Sequence, residues 1–272
     1  MTFAGLDEAC KALLLSTAGI LNQTRLRYAI AGGWVPLLLE PNHPDLKHPG
    51  TRDVDVLMID RIEEVKTAVL ALLNHKFRPS AKHEFQLLRD ASVGGRDFVF
   101  NVDLMHPSEA DSTPQMFHDI FDLGVNDAYD PRGSRFAKSI AFRSVSIVYE
   151  QNLFLYESVS GLNLDHQMTS QKVPILNAPA FILSKCESVS VAKRTRDAFD
   201  IYYLLSGVGG TKAADDLLSL TQKFDQVDRQ VEKLRVFLMD GSGKFDENVS
   251  YHAGRPMSGS ANKCSTLLTT TS

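Results

Sequence analysis

The chain has 272 residues, 43% of them hydrophobic and 23% charged, with a formal net charge of −4. That length supplies core for one large domain or two small ones, the composition is that of a globular chain, and the negative balance excludes a whole-molecule field that draws in nucleic acid. No apolar run approaches the roughly 18–20 residues that span a bilayer, Asp7 and Glu8 stand where a secretory leader would be basic, and Cys10, Cys186 and Cys264 fit neither a disulfide framework nor a zinc spacing. A chain with reduced thiols in a cytoplasm, with no membrane partner, is therefore expected.

Leu6, Cys10, Leu13, Leu14, Ala18 and Leu21 recur at three and four, which predicts an amphipathic helix over Leu6–Leu26. Arg27–Ala31 is β-prone and stopped by Gly32-Gly33, a strand ending in a tight turn. Trp34–Glu40 reads as a short helix. Pro41–Gly50, with three prolines and a terminal glycine, reads as a loop. Asp53–Ile59 alternates as a strand, and Arg61–His75 carries the helical stripe Ile62, Val65, Val69, Leu72 and Leu73. Glu84–Arg89 and Arg96–Met105 predict a hairpin. After an ill-defined stretch from His106 to about Arg143, Val145–Ser158 reads as a strand or hairpin, and Pro179–Val191, Arg194–Leu205 and Thr211 to about Met239 as three helices. From Gly241 to Ser272 large apolar residues become rare and an unstructured tail is expected. The sum is an α/β (α+β) architecture: a mixed sheet flanked by helices over residues 1–125, a mostly helical region over 126–240, and a tail over 241–272.

Asp53-Val54-Asp55-Val56 is the most informative tetrapeptide. In a strand, Asp53 and Asp55 share one face while Val54 and Val56 enter the core. Two carboxylates this close repel unless a cation lies between them, and Mg²⁺ takes oxygen ligands while keeping waters for phosphates to replace. Alone, the pattern also describes a solvated strand edge. Asp103 is a third carboxylate on an apolar strand, with Asn101 on its face and Phe100, Val102 and Leu104 on the other; alone, it could equally cap the strand or pair with an arginine. Gly32-Gly33, between a strand and a helix, suits close approach of backbone N–H groups to phosphate oxygens.

The ordered set strand–Gly-Gly–helix–loop–strand with D-x-D–strand with Asp resembles the nucleotidyltransferase superfamily over roughly Tyr28–Met105. The resemblance implies that Gly32 and Gly33 hold the NTP phosphates, with Thr51 and Arg52 beside them. It implies that Asp53, Asp55 and Asp103 bind Mg²⁺, with Mn²⁺ as the alternative metal, and that Asp103 helps deprotonate the acceptor hydroxyl. Two departures are Trp34, where the superfamily often has Ser, and the long Pro41–Gly50 insertion. Further on, Lys185, Arg194, Arg196, Asp197 and Asp200 resemble the K-x(8)-R-x-[KR]-D-x-x-D motif of AbiEii-type nucleotidyltransferases, a group that includes type IV toxins. That resemblance implies that Lys185 and Arg194 neutralise triphosphate charge while Asp197 orients Lys185 or activates the acceptor. It also implies transfer of an NMP from an NTP to tRNA, another RNA or a protein, and a cognate antitoxin as a partner. The Ala31-Gly-Gly-Trp34 and Thr51–Val56 segments also resemble aminoglycoside and lincosamide nucleotidyltransferases, whose acceptor is a small molecule. A non-catalytic nucleotide-sensing or partner-binding protein on the same fold is the third reading.

Several residues invite blander expectations. The basic clusters at Arg132–Arg143 and Lys193–Arg196 suit solvated loops as well as nucleic acid, and the eight histidines show no metal spacing, His106 alone being near Asp103 in sequence. Trp34 suits a core anchor or a nucleobase platform. Lys185, read as a partly exposed cleft residue, should cost less than about 1 kcal/mol of stability when removed.

Overall fold

Burial of one continuous apolar stripe makes the first helix, α1 (Leu6–Leu21), which the computed structural model shows buried at Cys10, Leu13, Leu14, Ala18 and Leu21. The structure describes residues 1–58, 62–108, 117–122, 136–143 and 145–269. The helix stops five residues earlier than its pattern suggests. The Asn22 amide donates to the Lys172 carbonyl and accepts from the Tyr28 hydroxyl, and Thr24 Oγ1 donates back to the Leu21 carbonyl. Such side-chain bonds offer the backbone an alternative to another helical turn.

The strands are β1 (Tyr28–Ala31), β2 (Asp53–Met58), β3 (Arg78–Pro79), β4 (Gln86–Val93), β5 (Arg96–Ser108), β6 (Phe117–Asp122), β7 (Phe136–Arg143), β8 (Phe154–Leu162) and β9 (Met168–Leu176). Among the described residues they form a single mixed sheet in the order β3-β4-β5-β2-β1-β9-β8, with β7 joining β5 and β6 joining β7. Pairing is antiparallel for β1/β2, β3/β4, β4/β5 and β6/β7, and parallel for β1/β9, β2/β5 and β5/β7. The β4–β5 hairpin closes on Gly94 and Gly95 alone, at φ 57° and 79°, the pair of positive φ values that a two-residue turn of this hand requires. β4 therefore runs further toward the turn than the sequence pattern suggests, while β5 starts at Arg96 as expected and continues to Ser108. Along with α1, α3 (Ile62–Asn74) packs in this unit.

Two compact units divide the chain. The first comprises Met1–Gly32, Thr51–Tyr149 and Phe154–Ile175; the second comprises Gly33–Gly50, Glu150–Leu153 and Leu176–Ser272. The position 125/126 falls outside the described residues, as do Ile59, Arg61 and residues 132–135 of the basic cluster.

Val145–Glu150 is helix α4 rather than strand or hairpin. Its β-branched residues favour a strand only weakly, and burial of Ile147 and Val148 side by side decides otherwise. The second unit holds α2 (Trp34–Leu39), α5 (Ala178–Lys185), α6 (Thr195–Ser206), α7 (Gly210–Lys223), α8 (Asp225–Met239), α9 (Lys244–Ala253) and α10 (Ser260–Thr269). Asn177 caps α5 by accepting from the Ala180 amide. The helix ends at Lys185, short of Val191, and irregular turns follow to Arg194. The long helix expected from Thr211 to Met239 is two, broken at Phe224, whose φ of −136° and ψ of 105° are extended.

The stretch expected to be an unstructured tail is α9 and α10. Four of its apolar residues fall four apart, Phe245 with Val249 and Cys264 with Leu268, and these four are buried. Asp246 joins the helices by accepting the Gly259 and Ala261 amides at 2.7 Å each. Sparse apolar content at helical spacing is enough when a neighbouring helix already supplies the surface. All three cysteines are reduced and buried. Among the described residues no helix is long and apolar enough to cross a membrane.

Candidate active site

Strand alternation and register assemble the carboxylates. In β2, Val54 and Val56 are fully buried while Asp53 and Asp55 are half-buried on the other face. In β5, Val102 and Leu104 are buried and Asn101 and Asp103 are half-buried. The parallel pairing sets Asp53 opposite Asn101 and Asp55 opposite Asp103, and directly opposed residues project to the same face. Gln86 of β4 stands opposite Asp103 on its other side. Asp53, Asp55 and Asp103 thus share one face of two adjacent strands.

The carboxylates are held by neighbouring polar groups. Thr51 Oγ1 donates to Asp53 Oδ1 at 2.6 Å, and Asn101 Nδ2 donates to Asp103 Oδ1 at 2.6 Å. Burial pushes the Asp103 carboxyl above its ordinary value; the Asn101 and Gln86 hydrogen bonds pull it back, and the Asp53 charge pushes it up further. Among the described residues, no group of three or more His, Cys, Asp or Glu is arranged to hold a metal ion. Arg52 is exposed. His106, the histidine nearest in sequence, has its Nδ1 2.6 Å from Ser139 Oγ.

Gly32 explains itself by what lies against it. Its φ is +62°, and a Cβ built there would collide with the Asp55 carboxylate. Both the left-handed backbone and the missing side chain are needed for Asp55 to sit where it does. Gly33, at φ −66°, is the residue before α2. Trp34 is buried at the start of that helix, the anchoring alternative rather than an exposed platform.

No family model and no curated protein matches the chain. Among solved structures, the crystal structure of an antigenic nucleotidyltransferase-like protein from Paracoccidioides brasiliensis is similar over 86% of this chain and 95% of that one, at 15% sequence identity and a TM-score of 0.36.

Lys185, Arg194 and Asp197 lie in the second unit. Lys185 Nζ donates to Asp197 Oδ1 at 2.7 Å and Ser188 Oγ donates to Asp197 Oδ2 at 2.6 Å. The Lys185 and Asp197 side chains are only 16% and 5% exposed. Lys185 is half-buried, in keeping with the partly exposed residue expected from the sequence, but its ammonium is held by the buried Asp197. Arg194 is exposed just before α6. Asp200, one turn on from Asp197, takes Arg196 Nε at 3.3 Å and His48 Nε2 at 3.2 Å on the same oxygen.

His43 and His48 are the polar anchors that spacing alone conceals. His43 Nδ1 accepts the amides of Asp45 and Leu46, and His48 Nδ1 accepts that of Gly50. An accepting Nδ1 puts the proton of a neutral ring on Nε2, so His48 donates to Asp200 and His43 donates to Ser206 Oγ. The Pro41–Gly50 insertion is thereby tied to α6 at both ends. The signal available in the sequence was His at either end of a proline-rich loop, without any hint of its partner.

Burial holds the His43 and His48 pKa values below 6.5. Burial would raise the Asp200 carboxyl, but the His48 hydrogen bond and the Lys185 and Arg196 charges outweigh it and hold it low. The unfolded histidines take protons near pH 6.5 and the folded ones resist. Their contribution is full above about pH 6.5 and is lost as pH falls toward the folded values; that of Asp200 is lost only in stronger acid. Urea unfolding of the second unit, followed by its own hydrogen-exchange protection, should weaken between about pH 7 and pH 5.5. His48→Gln should flatten that slope, and an unchanged slope would show that His48 is not one of the titrating groups.

Proposed function

We propose that the chain is a Mg²⁺-dependent nucleotidyltransferase, moving an NMP from an NTP to an acceptor hydroxyl with release of pyrophosphate. We take it to be AbiEii-like, with RNA, tRNA foremost, as acceptor. The observation that carries this reading is the shared face of Asp53, Asp55 and Asp103, with Asp55 in register with Asp103 and seated against a glycine turn.

The donors suit a hard divalent cation in kind: carboxylate oxygens without sulfur or imidazole. Their electrostatics suit it as well, since Asp103 is buried beside the Asp53 charge and a cation relieves that cost. Thr51 and Asn101 now hold two of the carboxylates, and coordination would exchange those bonds. When bound, the metal would stabilise charge on the attacking and leaving oxygens. The acceptor oxygen forms its bond to the α-phosphorus as the bond to the β-phosphate oxygen breaks. Asp103 takes the acceptor proton. In this reading Gly32, Gly33, Thr51 and Arg52 contact phosphates, Lys185 and Arg194 neutralise triphosphate charge, and Asp197 orients Lys185.

The test is incubation with each α-labelled NTP, Mg²⁺ and, separately, total RNA, purified tRNA, an aminoglycoside and a lincosamide. Label entering RNA from one NTP, with stoichiometric pyrophosphate, is the expected result. Label in an antibiotic would replace RNA as acceptor class. Nucleotide binding without pyrophosphate release would make the protein a sensor.

A further inference from the structure

The first unit contains a cavity of about 380 Å³, within the range that small-molecule sites occupy, and it lies away from the carboxylate face. Arg89, which lines it, pairs with Phe100 across β4–β5, whereas Gln86 pairs with Asp103. Residues 86 and 89 are an odd number apart, so their side chains leave opposite faces of the sheet. Arg89 shares its face with Leu87, Phe100 and Val102, which are buried.

Arg89 is the feature that asks for a ligand. Its side chain is 13% exposed, and a guanidinium has five N–H donors to satisfy. Nε is buried without a hydrogen-bond partner. Nη1 reaches the Asp90 carbonyl only at 3.5 Å, and Nη2 stands 3.6 Å from Asp165 Oδ1, beyond hydrogen-bond distance. Asp165 is itself half exposed and shared with Lys76 at 3.5 Å.

The rest of the wall adds donors. Ser16 Oγ accepts the Leu164 amide at 2.8 Å, which leaves its own O–H to give. Gln171 accepts from Asn22 and donates one N–H to Thr169, keeping its second N–H. Gly19 also lines the cavity from inside α1, where glycine destabilises a helix relative to alanine. A Cβ there would stand 3.1 Å from Gln171 Nε2, so the glycine keeps the Gln171 amide in place. An arginine with spare N–H groups and two neutral donors around a polar cavity match an oxyanion, which guanidinium binds through two parallel hydrogen bonds.

We propose that this cavity is a second ligand site, for a small molecule carrying a carboxylate or phosphate group, with Arg89 as its anchor. It is independent of the nucleotidyltransferase reading. Calorimetric titration in EDTA, on the full chain carrying Asp53→Asn to silence the carboxylate face, uses inorganic phosphate, succinate and neutral ribose as probes. Phosphate or succinate should bind with a Kd below about 10 mM and ribose should not; which of the two binds names the group. Arg89→Gln should weaken binding at least about tenfold, and Arg89→Lys should recover only part of it, because the fork is lost. Asp165→Asn should tighten binding by removing the one carboxylate in the wall. Gly19→Ala, which leaves Arg89 intact, should weaken it about threefold or more by pressing on Gln171. No oxyanion binding by the parent protein, or binding indifferent to both Arg89→Gln and Gly19→Ala, would overturn the proposal.

Discussion

Asp103→Asn should abolish Mg²⁺-dependent transfer, by at least about a thousandfold or about 4 kcal/mol of barrier, while leaving the folded protein as stable as before or more so. The two halves of this expectation have one cause. The Asp103 carboxyl is raised by burial, and further by the Asp53 charge, against the Asn101 and Gln86 hydrogen bonds. An acid with a raised folded pKa costs stability at every pH above that value and recovers it only as pH falls toward the unfolded value. At neutral pH the penalty is therefore present without metal. Asparagine keeps an oxygen to accept from Asn101 and removes the charge. Thermal melts in EDTA and in Mg²⁺ separate the roles: the parent protein should gain stability from Mg²⁺ and Asp103→Asn should gain much less. Transfer within tenfold of the parent, or an equal Mg²⁺ gain in both proteins, would remove Asp103 from the metal site.

The carboxylate face was legible because alternation is local. Val54 and Val56 against Asp53 and Asp55, and Val102 and Leu104 against Asn101 and Asp103, are period-two patterns that need no partner to read. Which strands lie side by side is not local. The register opposing Asp55 to Asp103 depends on the parallel pairing of β2 with β5, across some 40 intervening residues. Gly32 announced a turn, but its contact with Asp55 belongs to the antiparallel pairing of β1 with β2, which sets Ala31 opposite Asp55. Elements that local preference misplaced were settled by burial: α4 by Ile147 and Val148, and α9 and α10 by four apolar residues in a polar stretch. The break at Phe224 carries no glycine or proline to mark it. Asn101 escaped notice as a partner of Asp103 although it stands two residues before it on the same face. His48 could not have been matched to Asp200, 152 residues away, by any spacing rule.

Lys185→Ala should cost the second unit about 3 kcal/mol, several times what an exposed lysine would. Asp197 is 5% exposed and keeps only Ser188 once the ammonium is gone, and a buried charge that loses its partner retains the full desolvation penalty. The loss should appear as a lower urea midpoint with no change in the slope. It must then be separated from any part Lys185 plays in binding triphosphate. A double variant, Lys185→Met with Asp197→Leu, removes both charges and keeps apolar volume, and replacing a buried ion pair in this way is often close to neutral in stability. It should recover most of the midpoint lost by Lys185→Ala. If Lys185 acts on the nucleotide, the recovered protein will still bind NTP weakly or transfer slowly. If transfer returns along with stability, the ion pair serves the fold of α5 against α6 and the lysine is no part of the chemistry.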